Sequence, residues 1–354
     1  MNANNSVRNL IVTACLVVLS GCLEIETTTT VHSDGSVLRE IRRLGDSAEV
    51  FREARLFAMD STWTEVYRKT DSTWESVASK EFADASALEA EVNRDPGRSL
   101  RIRVSLEKEF AWFTTTFEYR ETILCYNQFH AVPITDLISQ QDVERWLRHE
   151  IDGAPYPSVE ESLQVERLSS RAEEWDHRNK FKAYHEIFVE GAHVLNDAAL
   201  TALLVPAMEE TLFVRTLKPM NAGALDTLPS IYGTILGIPS VRQVFREQQA
   251  AFDAYAEKLA FQQEMLGAGY KRARIVMPGL LTGTNARSIE GNRLSWEDFL
   301  GASYVTDHTM WARSRVINWW AVVLTGAVVL FLAAIPLVWF IRRRAVAVNE
   351  FFIP

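Results

Sequence analysis

Between residues 319 and 341 the chain reads WWAVVLTGAVVLFLAAIPLVWFI, 23 residues without a charge, and Arg342, Arg343 and Arg344 follow at once. As a helix rising about 1.5 Å per residue, this run reaches roughly 34 Å, enough to cross a hydrocarbon core of about 30 Å with some tilt. A helix of a soluble core would carry a polar stripe, whereas Thr325 is the one hydroxyl side chain here. Trp319, Trp320 and Trp339 stand at the two ends, where amphipathic rings favour the headgroup level. Pro336 falls in the last turns, and lipid-embedded helices tolerate proline. The sequence therefore predicts one membrane-spanning helix with most of the chain hung from it.

The amino end has the layout of a secretory signal over residues 1–21: a polar start with Arg8, an apolar run over 10–19, then Leu19-Ser20-Gly21-Cys22. That tetrapeptide resembles a bacterial lipobox at all four positions. The resemblance implies that Cys22 becomes the first mature residue and carries a diacylglycerol, with further acyl chains such as palmitate making the anchor stable. Two anchors together predict a topology. Residues 23–318 are expected on the external face of a bacterial cytoplasmic (inner) membrane, and the tail over 342–354 inside. Three arginines after the helix, against Arg313 and Arg315 before it, agree with that orientation.

Setting aside Arg8, Arg342, Arg343, Arg344 and Glu350, the chain's 37 basic and 46 acidic residues fall to 33 and 45, a balance of −12. An outer domain this acidic is not expected to bind nucleic acid. Of three cysteines, Cys15 leaves with the signal and Cys22 is expected to be acylated. Cys125 is then alone and expected in the core, so no internal disulfide is available. The basic clusters Arg39, Arg42, Arg43 and Lys271, Arg272, Arg274 are read as solvated strand edges or orientation devices near the membrane.

Alternation of apolar and polar residues predicts strands over 23–31 and 37–44 around the turn Ser33-Asp34-Gly35-Ser36. Asp46 and Glu49 form a capping box before a helix over 47–59. Strands over 63–69 and 73–82, a helix from Asp84 to Asn93, and strands around 100–107 and 110–123 complete an amino-terminal part, 22–133. From 134 to 266 the pattern is helical. Its last helix, over 240–266, carries the stripe Val241, Val244, Phe245, Phe252, Tyr255, Leu259 and is expected to close on a left-handed Gly267. Strand signals resume over 267–318, including 273–277, 280–284, 294–299 and a last strand over 302–313. The expected class is α+β: an antiparallel sheet formed by amino- and carboxy-terminal strands, a helical insertion, and one carboxy-terminal transmembrane helix.

Within the carboxy-terminal part, PGLLTGTNARSIEGNRLSW over 278–296 has the order Pro-Gly, Asn, Gly-Asn, Trp. This turn pattern resembles that of LppM-like envelope lipoproteins, which share a lipobox, a small α/β domain and a carboxy-terminal membrane helix. The pattern covers under a tenth of the chain, Ala286 stands where a glycine would follow Asn285, and the helical block has no counterpart in the resemblance. What it implies is architecture, together with a lipid or lipoglycan ligand.

None of the seven histidines forms a zinc-type motif. His177, His185 and His193 recur every eight residues, about 80° apart per step on one helix, and are expected not to share a face. Asp307 and His308 are expected to point to opposite sides of a strand. The acid pairs Glu173-Glu174 and Glu209-Glu210 read as solvated helix surface. No nucleophile elbow, phosphate loop or dinucleotide fingerprint occurs. No cofactor, metal or catalytic residue is therefore expected, and the chain is read as a non-enzymatic envelope lipoprotein that binds a lipid-like ligand or an envelope protein. Two alternatives stand beside it: a membrane-tethered hydrolase acting on envelope polymers, and a structural subunit of an envelope complex.

Overall fold

The first hairpin forms where period-2 alternation places it, as β1 (Glu24–Val31) and β2 (Val37–Gly45), joined through Gly35 at positive φ. The computed structural model describes residues 23–51, 59–70, 73–94, 100–151, 158–216, 225–267, 271–297 and 299–350. After the short α1 (Ser47–Val50) come β3 (Thr64–Lys69), β4 (Trp74–Phe82), α2 (Ala85–Val92), β5 (Ile102–Ala111) and β6 (Thr114–Ile123). Most of the helix expected over 47–59 lies outside the described residues. Asp84 caps α2 by accepting the Ala87 N–H at 2.8 Å.

The helical block follows as α3 (Gln140–Trp146), α4 (Val159–Leu195), α5 (Ala198–Leu203), α6 (Pro206–Thr216), α7 (Leu228–Leu236), α8 (Val241–Glu247) and α9 (Gln249–Gly267). The spine is α4, 37 residues long and so about 55 Å. Ser158 caps it by accepting the Glu161 N–H, and Asn196 ends it in the left-handed conformation. The helix expected over 240–266 is two helices that break at Gln248, and Gly267 is the last residue of the second. The break and the spine meet: a Cβ on Gly191 of α4 would lie 2.6 Å from Gln248 Cγ and 2.8 Å from Val244 Cγ1, so only glycine admits this approach.

The chain returns to strands as β7 (Lys271–Val276), β8 (Leu280–Thr284), β9 (Ser288–Glu290) and β10 (Arg293–Glu297), then α10 (Phe299–Val305), β11 (His308–Ile317) and α11 (Trp319–Glu350). The last strand thus starts later than expected, because residues 299–305 are helical. Phe299, Leu300, Ala302, Ser303 and Tyr304 are all buried. A short apolar run buried on every side shows no period by which strand and helix differ.

The class is α+β, and amino- and carboxy-terminal strands do share sheets. A seven-stranded sheet has the order β3-β4-β2-β1-β7-β10-β9, and a four-stranded one the order β5-β6-β11-β8. All neighbours pair antiparallel except β1 and β7, which run parallel from Ile25↔Lys271 to Thr30↔Val276. The inner faces of both sheets, with α2 and α10, share one core that includes Ile25, Ile41, Leu88, Ile102, Phe117 and Phe299. A second core lies among α4 to α9 and includes Phe188, Leu212, Tyr232, Val244 and Phe245.

Polar latches join the helical block to the sheets. Trp175 Nε1 donates to Val132 O at 2.8 Å, Asn179 takes the Val132 N–H at 2.7 Å, and Asp176 accepts from the Tyr304 hydroxyl. The turn pattern over 278–296 is also accounted for by the fold. Gly279 has positive φ, and a Cβ there would sit 2.4 Å from Arg315 O on β11. Asn285 bridges to β11 through Trp311 N and Thr309 O, Asn292 donates to Met277 O, and Trp296 is buried. These residues make turns and pin strands.

Candidate functional site

Three places combine unusual geometry with chemistry: a buried ion pair between the sheets, a hollow beside α4, and an aromatic collar where α11 leaves the sheet.

The ion pair corrects the reading of the first basic cluster. On β2 the residues Val37, Arg39, Ile41 and Arg43 alternate inward, so two arginines lie on the core face. Arg39 is 2% exposed, and its Nη1 lies 2.9 Å from Oε2 of Glu121 on β6, itself 1% exposed. Tyr119 donates its hydroxyl to Glu121 at 2.8 Å, and burial with the nearby carboxylate raises the tyrosine's pKa. Arg43 pairs with Glu65 and donates to Ser76, while Arg42, half-exposed, pairs with Glu75. Of the later cluster, Lys271 is buried, and Arg272 and Arg274 both engage Glu26.

The hollow, about 680 Å³, is lined by α4 residues that include Lys182, His185, Glu186, Glu190 and His193, with Leu204 and Glu209 opposite. His185 and His193, expected not to share a face, therefore border one space, because 80° of separation still falls within the broad face that α4 turns to the hollow. His185 is packed between the Phe181 and Phe188 rings with Nδ1 3.1 Å from the Tyr232 hydroxyl, and burial lowers its pKa from 6.5 to about 4. Its neutral form is thus built into the fold. The unfolded chain binds a proton near pH 6.5 that the folded chain refuses, so this contribution is intact at pH 7 and lost as pH falls toward 4. Lowering the pH from 7 to 5 is expected to cost roughly 2 kcal/mol through this group alone. Thermal unfolding of His185→Gln at the two pH values should show a correspondingly smaller drop than the parent.

The other ionisable groups weighed from the sequence are dispersed. Glu174 and Glu210 both pair with Arg178. Asp307 accepts the Cys125 N–H, and His308 opens β11. Cys125 is half-buried rather than a core residue, its thiol donating to Tyr304 O at 3.3 Å. Among the described residues, no group of three or more His, Cys, Asp or Glu side chains is arranged to hold a metal.

The collar surrounds the start of α11. The 21 residues Trp319–Trp339 are long and apolar enough to cross a membrane, and only 6% of the most apolar window is buried against the protein. Trp319, Trp320 and Trp339 are all exposed. Arg342, Arg343 and Arg344 continue the same helix. Leu19, Ser20, Gly21 and Cys22 lie outside the described residues. What sequence reasoning missed is the tip of the β5–β6 hairpin, where Phe110, Trp112 and Phe113 are 58%, 48% and 48% exposed. Phe110 stacks on Trp320 with ring centroids 6.3 Å apart, and Trp112 meets the same ring edge-on at 5.4 Å. Trp112 Nε1 also donates to Thr325 Oγ1 at 2.9 Å. The available signal was a turn built of Trp and Phe where Gly, Asn or Asp is usual.

Fold and site thus define an α+β domain continuous with one helix fit to span a membrane. No family model and no curated protein matches the chain. Among solved structures, the chain is similar to the folded domain of the Mycobacterium tuberculosis LppM protein, determined by NMR, at 11% identity and a TM-score of 0.28. The likeness covers 84% of this chain and 92% of that one.

Proposed function

We propose that the protein is a membrane-anchored envelope lipoprotein, held by a lipidated Cys22 and by α11, whose domain binds a lipid-like ligand or an envelope protein at the outer face of the cytoplasmic membrane without catalysing a reaction. The observation that carries this reading is α11 itself. A helix whose apolar surface is almost wholly free of protein contact needs hydrocarbon around it. It leaves β11 after the single residue Asn318, so the domain is confined to the membrane surface. The hollow beside α4 mixes Val189, Val194 and Leu204 with Lys182 and Glu186, a lining suited to a ligand with an apolar part and a polar head.

The test is the intact mass of the full chain purified from a bacterial membrane in mild detergent, with bound molecules released and identified. A mass starting at acylated Cys22, with one enriched lipid or a stoichiometric protein, is expected. An unmodified amino terminus would overturn the lipid anchor. An acylated protein carrying neither lipid nor partner would overturn the binding role.

A further inference from the structure

We infer that the β5–β6 hairpin tip is a membrane-inserted wedge: Phe110, Trp112 and Phe113 lie in the lipid of the leaflet that surrounds the start of α11 and clamp the four-stranded sheet to the bilayer. The inference rests on α11 spanning the membrane, and goes beyond it by assigning a second, non-helical lipid contact.

Depth is the first argument. Thr325, which holds Trp112, is six residues past Trp319 and so about 9 Å along the helix axis. Around that level Val323, Leu324 and Val328 present exposed apolar surface. Whatever medium solvates them also solvates the Trp112 ring. The indole N–H, costly to leave unpaired in hydrocarbon, is satisfied by the threonine hydroxyl.

The second argument is that the tip cannot swing away. Asn318 N donates to Phe113 O at 2.9 Å, its Nδ2 donates to Ala111 O at 2.9 Å, and its Oδ1 accepts from Thr115 Oγ1 at 3.0 Å. One residue both ends β11's path and grips both sides of the hairpin turn. The sheet and the helix are thereby a single rigid corner, with no flexible linker between domain and membrane.

A change of character along the strands is the third. In register, Thr114 faces both Ala111 and Ile317, while two rows higher Thr116 faces Glu109 and Arg315. Across those two rows, about 7 Å, exposed Ala111 and Ile317 give way to exposed Glu109 and Arg315. An apolar band that ends at a charged tier matches the step from acyl chains to headgroups. An exposed apolar patch can also mark a protein partner, but this one is continuous with the surface of α11, which favours lipid.

The test places a benzophenone amino acid in turn at Phe113, at Val328 within the apolar run of α11, and at Ile289 on the edge strand β9, in the full chain reconstituted in phosphatidylglycerol–phosphatidylethanolamine vesicles. Irradiation and mass spectrometry then identify adducts. Lipid acyl-chain adducts at 113 and 328, lost at 289, are expected. Acyl-chain adducts at 328 but none at 113 would overturn the wedge and leave the spanning helix standing. Adducts between two copies through 113 would overturn it in favour of self-association. Absence of lipid adducts at 328 would overturn the spanning reading on which the inference rests.

Discussion

Arg39→Met is expected to destabilise the sheet domain by roughly 3–5 kcal/mol, because it removes one half of a buried ion pair and leaves the other half without a counter-charge. Glu121 sits at the interface of the two sheets, and its partners are drawn from both: Arg39 of β2, Thr29 of β1 across the core, and Tyr119 of its own strand. Without the guanidinium, a carboxylate 1% exposed must stay charged in an apolar surround or take up a proton. The pair as a whole stabilises far less than that figure, since desolvation offsets most of its attraction. Arg39→Met combined with Glu121→Leu should therefore recover most of the loss. Recovery should be incomplete, because the Tyr119 hydroxyl is left buried without its acceptor, at a cost of about 1–3 kcal/mol. Adding Tyr119→Phe should close that gap. Thermal unfolding of the full chain in detergent reads all three variants. A single variant that melts with the parent would mean that the guanidinium is hydrated and the sheets do not close over it.

That ion pair also shows where local pattern stops being informative. The alternation that predicted β2 was correct, and it already put Arg39 and Arg43 on the same face as Val37 and Ile41. Charge on an apolar face means a buried partner, but nothing local says that the partner is Glu121, 82 residues away. The parallel pairing of β1 with β7 is equally invisible, since it joins residues about 250 apart through a ladder that either strand alone could make with many others. By contrast α11, the first hairpin, the α2 cap and the turns over 278–296 are specified by residues adjacent in sequence, and each was legible. The hairpin tip was read only as residues suited to a pleated surface. Its aromatics take on another meaning once Trp112 is seen bonded to Thr325, a contact 213 residues apart in sequence.

Phe188→Ala is expected to cost about 3–5 kcal/mol and to fall on the helical block before the sheets. The side chain is fully buried, with the rings of Tyr232 at 4.7 Å and Phe245 at 5.3 Å, so truncation leaves a cavity among aromatic groups that cannot easily collapse. Its core is separate from the one between the sheets. The spine α4 nevertheless enters both: Trp175 belongs to the sheet core and Phe188, thirteen residues on, to the helical one. Polar latches at Val132 and Tyr304 fasten the junction. Two cores joined through one helix can loosen separately when one is weakened. Far-UV dichroism, dominated by the helices, should therefore fall at a lower temperature in the variant than the tryptophan fluorescence, since eight of the ten tryptophans lie outside the helical block. If both signals fell together, α4 and its latches would bind the two cores into one cooperative unit.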